Sequence, residues 1–250
     1  MLARLAGERA TGALLRDTGV LYLADGAVVH AESPRAPGIE VLLTGGGRLS
    51  AEAWLDALDR AGPKTAVSRQ LIDHHLLSEG ELEISHLGAL FDAAFFVLAP
   101  GGGPSRFRHG AVHWFGAVRP VPVTEVERET RRRRRFLEEV WPCPRLDTAP
   151  LLRRRTGRLP PATRRQRAVL DLADGTRTAA EIAVLLGRPA FHTLVDVRRL
   201  ALAGRLEIPV TGADRAAGLP APQTSWLSDI TGGADVTMLR RLRDALEAHL

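Results

Sequence analysis

The chain is poor in thiols and amines: Cys143 is its single cysteine, and Lys64 is its single lysine against 33 arginines. One cysteine excludes an internal disulfide and fits a reducing compartment. The arginine bias, alongside abundant alanine, reads as the coding habit of a GC-rich genome, so arginine identity alone carries little weight. No stretch approaches the roughly 20 apolar residues that a membrane span requires. The opening MLARLAGERATG has no unbroken apolar run before a cleavage-like site, so no export signal is expected. Neither glycine run, Gly45–Gly47 or Gly101–Gly103, ends in the Lys-Ser/Thr of a phosphate loop or matches dinucleotide spacing, and both read as turns. Cys143 lies between two prolines with no base partner nearby in sequence. No nucleophile, acid–base pair or metal set converges in the sequence. The expectation is a non-enzymatic, cytoplasmic protein with no cofactor and no metal.

The remaining composition, 45% hydrophobic and 25% charged over 250 residues, is that of a globular chain able to bury a substantial core. The N-terminal part alternates apolar and polar residues through GALLR and VLYLADGAVVHAES around Asp25-Gly26, a strong hairpin signal. Short helices are predicted near 38–43, after the cap Ser50, and over 67–78. A helix over 81–98 is apolar on nearly all sides from Leu87 onward, which predicts the buried central helix. RFRHGAVHWFGAVRPVPV reads as an aromatic-rich hairpin. A linker helix is predicted from Thr124, with Thr124 and Glu127 as a capping box. Prolines 142, 144, 150, 160 and 161 then mark an irregular connection. The domains expected are 1–123, a linker over 124–150, a helical domain over 151–212, and a flexible tail over 213–250. That tail ends in an amphipathic helix whose Leu239, Leu242, Leu246 and Leu250 form one stripe, a candidate homodimer or partner contact.

Charge is concentrated rather than spread. Residues 151–212 hold 12 basic side chains and five carboxylates, an excess of +7, whereas 1–123 sum to −2, 124–150 to +1 and 213–250 to −1. The same basic segment predicts helices over 162–173, 178–186 and 190–203, then a strand LEIPV. Thr178 with Glu181 forms a capping box, Gly187 supplies a left-handed residue, and Pro189 opens the third helix. This order is that of a winged-helix domain whose third helix would enter the major groove. The candidate DNA contacts are Arg164, Arg165, Arg167, Thr193, Arg198 and Arg199. His192, Thr193 and Asp196 are expected to face solvent early in that helix, and Asp196 would repel a phosphate backbone. Arg199 could reach a phosphate or neutralise Asp196 at i,i+3.

Other signals point to structure. Arg131–Arg135 alternate with Glu125, Glu127, Glu129, Glu138 and Glu139 at helical spacing, which predicts a paired, solvated helix face. His109 and His113 are four apart, and His74, His75 and His86 have no accompanying cysteine or carboxylate motif, so a hydrogen-bonded or surface role is expected. Trp54, Trp114 and Trp141 read as core or interface anchors.

The chain resembles bacterial regulatory proteins built from a PATAN-type domain and a winged helix. The resemblance rests on TGVLYLADGAVVHAESP with PGIEVLL, on FDAAFFVLAPGGGPSRFRHG with HWFG, and on DGTRTAAEIAVLLGR with FHTLVDVRRLALAGRLE, covering most of residues 10–208. It implies an α+β fold: a mixed N-terminal domain with β-hairpins and helices, followed by a winged helix-turn-helix. It also implies a non-enzymatic module, often a transcriptional regulator, and PATAN-type domains also serve as docking platforms in Roadblock-type and small-GTPase systems. The leading expectation is a regulator whose winged helix contacts duplex DNA and whose N-terminal domain docks protein partners; the alternative is a docking adaptor that binds no DNA. No catalytic residues come with it.

Overall fold

A small antiparallel sheet of order β3-β2-β1-β4 organises the N-terminal part. Its strands are β1 (Gly12–Arg16), β2 (Gly19–Ala24), β3 (Ala27–Glu32) and β4 (Arg106–His109). The structure, a computed structural model, describes residues 1–61, 66–154 and 161–209. Leu239, Leu242, Leu246 and Leu250, and with them the amphipathic tail, lie outside the described residues. The β2–β3 turn at Asp25-Gly26 takes positive φ at both positions, 51° and 77°, the geometry that matches the twist of paired strands. A bulge then interrupts the register between Tyr22↔His30 and Leu23↔Val28. The extra residue lets Val28 and Ala31 both join the apolar cluster containing Leu21 and Leu23, while Tyr22, His30 and Glu32 alternate away from Leu21 and Ala31.

Nine α-helices are described: α1 (Leu2–Gly7), α2 (Ile39–Gly45), α3 (Ala51–Arg60), α4 (Val67–Asp73), α5 (Glu79–Val97), α6 (Val123–Val140), α7 (Arg164–Leu172), α8 (Ala179–Leu185) and α9 (Ala190–Leu202). α5 is the expected central helix. It starts at a Ser78–Glu81 capping box and buries Leu90, Ala93, Ala94 and Val97 in the same cluster as the sheet. Ser50 caps α3 through the Ala53 amide. α1, too short for a clear period, was not expected from sequence; it is held by Leu2 and Leu5.

Several expectations need correction. Residues 106–123 do not form a hairpin. β4 pairs with β1, and the chain then loops across to a single bridge, Val121 with Val28, on the opposite edge of the sheet. Glycines 110 and 116, both at positive φ, turn the chain away before a second strand can pair with β4. The Thr124–Glu127 capping box is absent because the cap falls two residues earlier, at Pro122, and Thr124 is already inside α6. Trp114 is half exposed rather than buried, whereas Trp54 is in the core.

In the C-terminal part, Thr163 and Thr178 both close capping boxes, with Gln166 and Glu181. Gly187 takes φ 58° between α8 and α9. β6 (Leu206–Glu207) pairs antiparallel with β5 (Leu152–Arg153), so the strand after α9 has a partner from before α7. Residues 1–209 form one compact unit. One apolar cluster runs from Leu14 and Leu90 through Val126 and Leu137 to Ile182, Leu194, Val197 and Leu200, bridging the boundaries expected at 124 and 151. Burying each of those large side chains is worth about 1.5–3 kcal/mol. Among the described residues, no helix is long and apolar enough to cross a membrane.

Candidate functional site around the third basic helix

The third helix of the basic unit was the candidate reading head, and it is largely enclosed. α9 packs against α5 and α6 as well as against α7 and α8. Its first turn meets a buried carboxylate: Asp92 of α5, fully enclosed, accepts from the Ala190 amide at 2.5 Å and the Phe191 amide at 2.8 Å. These are the first two helical amides of α9, which have no acceptor within the helix. Asp92 therefore caps α9 from another element and neutralises the positive end of its dipole. Burial pushes the Asp92 carboxyl above its ordinary range, against the opposing pull of the Phe191 amide and the Arg133 guanidinium. That end of the helix is therefore closed to an external anion.

The expected contacts separate into two groups. Thr193 is 2% exposed, and its hydroxyl donates to the Pro189 carbonyl. Arg198 is 3% exposed and fully occupied. Its guanidinium donates to Asp147 at 2.6 and 3.1 Å and to the carbonyls of Trp141 and Leu137 at 2.5 and 3.2 Å. Neither side chain can reach a duplex, and Asp196, also expected outside, is buried. The physical reason is that α9 carries apolar residues on more than one stripe. Phe191 meets Phe95 of α5 and Phe136 of α6, and Leu194, Val195, Val197 and Leu200 are buried in the same apolar cluster.

Arg164, Arg165, Arg167 and Arg199 remain exposed. Arg165, rather than Arg199, pairs with Asp196, at 3.4 Å. Arg199 has no hydrogen-bond or ion-pair partner among the described residues. The five-arginine run of α6 behaves largely as its spacing implies: Arg131 approaches Glu127, and Arg132 and Arg133 share Glu129. Arg134 instead donates to the Phe95 carbonyl. Arg133 also lies over the Phe191 ring, 4.7 Å from its centroid, and 3.5 Å from Asp92. These placements open a cleft of about 310 Å³ between α6, α7 and α9, lined by Arg132, Arg133, Phe136, Arg165, Phe191 and Arg199, among others. His192, on its wall, is driven toward the neutral form by burial and then by Arg165.

The turn between α8 and α9 is also pinned. A Cβ placed on Gly45, at the end of α2, would come within 2.8 Å of the Gly187 backbone, and the converse holds. Only two glycines allow this approach.

A second constellation was missed in the sequence because its members are far apart. His30, Glu32, His86 and His113 meet beside the β3 edge. The His113 Nδ1 accepts from the Phe115 amide at 3.3 Å, so its proton sits on Nε2, which donates to Glu32 at 2.8 Å. Tyr22 donates to the other Glu32 oxygen at 3.3 Å. His30 Nδ1 and His86 Nε2 share one proton at 3.1 Å, and His86 Nδ1 has no hydrogen-bond partner among the described residues. Burial is the main cause that lowers His30 to about 2 and His86 to about 4, with the neighbouring His113 next. The hydrogen bond from His113 holds Glu32 below the usual carboxylate range.

His30, Glu32 and His113 have the composition of a metal set, with ligand atoms within 4.8 Å of one another. Their geometry does not fit one. The His30 and His113 rings are stacked, with centroids 3.7 Å apart and planes inclined by only 17°. A metal must lie in the plane of each ring about 2.0–2.1 Å from its nitrogen, which two stacked, nearly parallel rings do not permit. The cluster is two hydrogen-bonded groups, His30 with His86 and His113 with Glu32 and Tyr22, joined by the stacking of His30 on His113. His30 and Glu32, two apart on a strand, were the only part a period-2 reading could have paired. His109, by contrast, is exposed and does not join His113.

No family model, curated protein or solved structure matches the chain.

Proposed function

We propose that this chain is a non-enzymatic protein-interaction adaptor, in which the helix-turn-helix is a fixed part of the scaffold rather than a reader of DNA. One observation carries the reading: the amino end of α9 is occupied by Asp92. In a helix-turn-helix bound to DNA, the residues at that end contact base edges. Here the end is closed by a carboxylate and residues 193–198 are buried, while His192 and Arg199 stay exposed. The enclosed Thr193 and Arg198 support the same view. So does the resemblance to PATAN-type proteins, for which docking in Roadblock or small-GTPase systems is one expected role.

Fluorescence anisotropy with random and genomic duplexes at two salt concentrations tests the proposal. Saturable binding tighter than about 10⁻⁴ M near physiological salt is not expected, since even non-specific DNA binders reach 10⁻⁴–10⁻⁶ M. A nanomolar complex that weakens, with a flatter salt slope, on replacing Arg164 and Arg165 by Ala would restore the regulator reading. The positive demonstration is a stoichiometric protein complex that survives gel filtration.

A further inference from the structure

We infer that the cleft between α6, α7 and α9 is the docking site for an acidic peptide segment of the partner protein. The inference rests on the adaptor reading and specifies the partner's chemistry. Three guanidiniums on the cleft wall are accessible. Arg132 and Arg165 have side chains 73% and 55% exposed, and Arg199 is exposed without a partner among the described residues. Arg132 is steadied by Glu129, and Arg165 is held by a single 3.4 Å contact to Asp196, long enough to exchange for an incoming carboxylate.

The base of the cleft is apolar and rigid. Phe191 lies beneath Arg133, Phe136 is 38% exposed at the rim, and Val195 is buried beside them. This combination suits a short segment that alternates carboxylates with apolar side chains: fork-shaped donors for the acids, a floor for the rest. At about 310 Å³ the cleft accommodates a few side chains, whereas a duplex would need a protruding surface to enter its groove. Asp196 and Glu129 neutralise part of the positive charge, which disfavours a continuous run of phosphates more than separate carboxylates. The accessible guanidiniums also come from three different helices, so an occupant would join α6, α7 and α9.

The test is selection of a random peptide library displayed on phage against the full-length protein, with affinities of the selected peptides measured by anisotropy. The selected peptides are expected to be acidic. They should bind at least about tenfold more weakly to an Arg165→Glu, Arg199→Glu variant and several-fold more weakly when salt rises from 0.05 to 0.5 M. Arg108→Glu, on β4 and exposed, should leave them unaffected. Circular dichroism and urea melts must show the double variant folded. Because both arginines are exposed, Arg165→Gln with Arg199→Gln gives a milder second version of the test. Failure to select peptides, selection of neutral or basic ones, or equal binding to both variants overturns the site. If instead duplex DNA binds and the same substitutions abolish that binding, the adaptor reading fails as well. Acidic peptides that bind elsewhere would remove the site and leave the adaptor reading standing.

Discussion

Replacing Asp92 with Ala tests the arrangement on which the functional reading depends. The substitution removes two charge-assisted hydrogen bonds, to the amides of Ala190 and Phe191, and leaves both donors buried without an acceptor. Hydrogen bonds to charged groups contribute roughly 1.5–3 kcal/mol each. Against this, the variant no longer buries a carboxylate, whose raised pKa reports an appreciable desolvation cost. Arg133 keeps Glu129 and the Phe191 ring, so it is not stranded. The net loss should be about 3 kcal/mol, or a fall of about 10 °C in Tm for a unit of this size. Urea unfolding measures the loss. Hydrogen exchange locates it, because the amides of Ala190 and Phe191 should lose protection before those of α8. Asp92→Asn, which retains one acceptor oxygen, should cost about half as much. A loss under about 1 kcal/mol, or unchanged protection at the start of α9, would refute the capping argument and reopen that helix end to a ligand.

Acid should destabilise the fold well above the carboxylate range. His30 and His86 are held neutral in the native state at about 2 and about 4, so the unfolded chain binds the extra protons. Their stabilisation is complete above pH 6.5 and drains as pH falls toward the native values. At pH 5.5 each costs about 1.4 kcal/mol relative to pH 8, about 3 kcal/mol together. Urea titrations at the two pH values check this, and His86→Gln should halve the difference; a flat profile would contradict it. Arg198→Ala should cost roughly 3–5 kcal/mol by stranding Asp147 and two carbonyls, while Arg199→Ala changes urea stability by less than about 0.5 kcal/mol. Similar effects from the two would mean that their environments do not differ as described. Gly45→Val should lower stability by about 1–3 kcal/mol through its collision with Gly187, measured by thermal melting. Gly80→Ala, with open space around it on α5, serves as a control expected to be neutral or slightly stabilising.

Local chemistry made much of the fold legible. The Asp25-Gly26 turn, the Ser50 cap, the Thr178–Glu181 box and the Gly187 turn are all written within four residues of where they act, and all form. The all-round apolar character of α5 likewise foretold its central position. What could not be read was the partner of each surface. Nothing near Thr193 or Arg198 indicates that α5 and α6 cover the face they occupy, because Asp92 lies about a hundred residues earlier. Spacing within α9 suggested Arg199 as the neutraliser of Asp196; the tertiary neighbour Arg165 takes that role. The histidine cluster draws on β3, α5 and the loop after β4, so no window of sequence contains it.

The Gly45–Gly187 contact has a consequence for how the molecule comes apart. Two backbones that touch without intervening side chains have no compliant layer in which one half could slide over the other. Together with the apolar cluster, this ties the sheet and the helices α7–α9 into one cooperative body. Heating should therefore melt residues 1–209 in a single calorimetric step, and neither half expressed alone should retain the native exchange pattern.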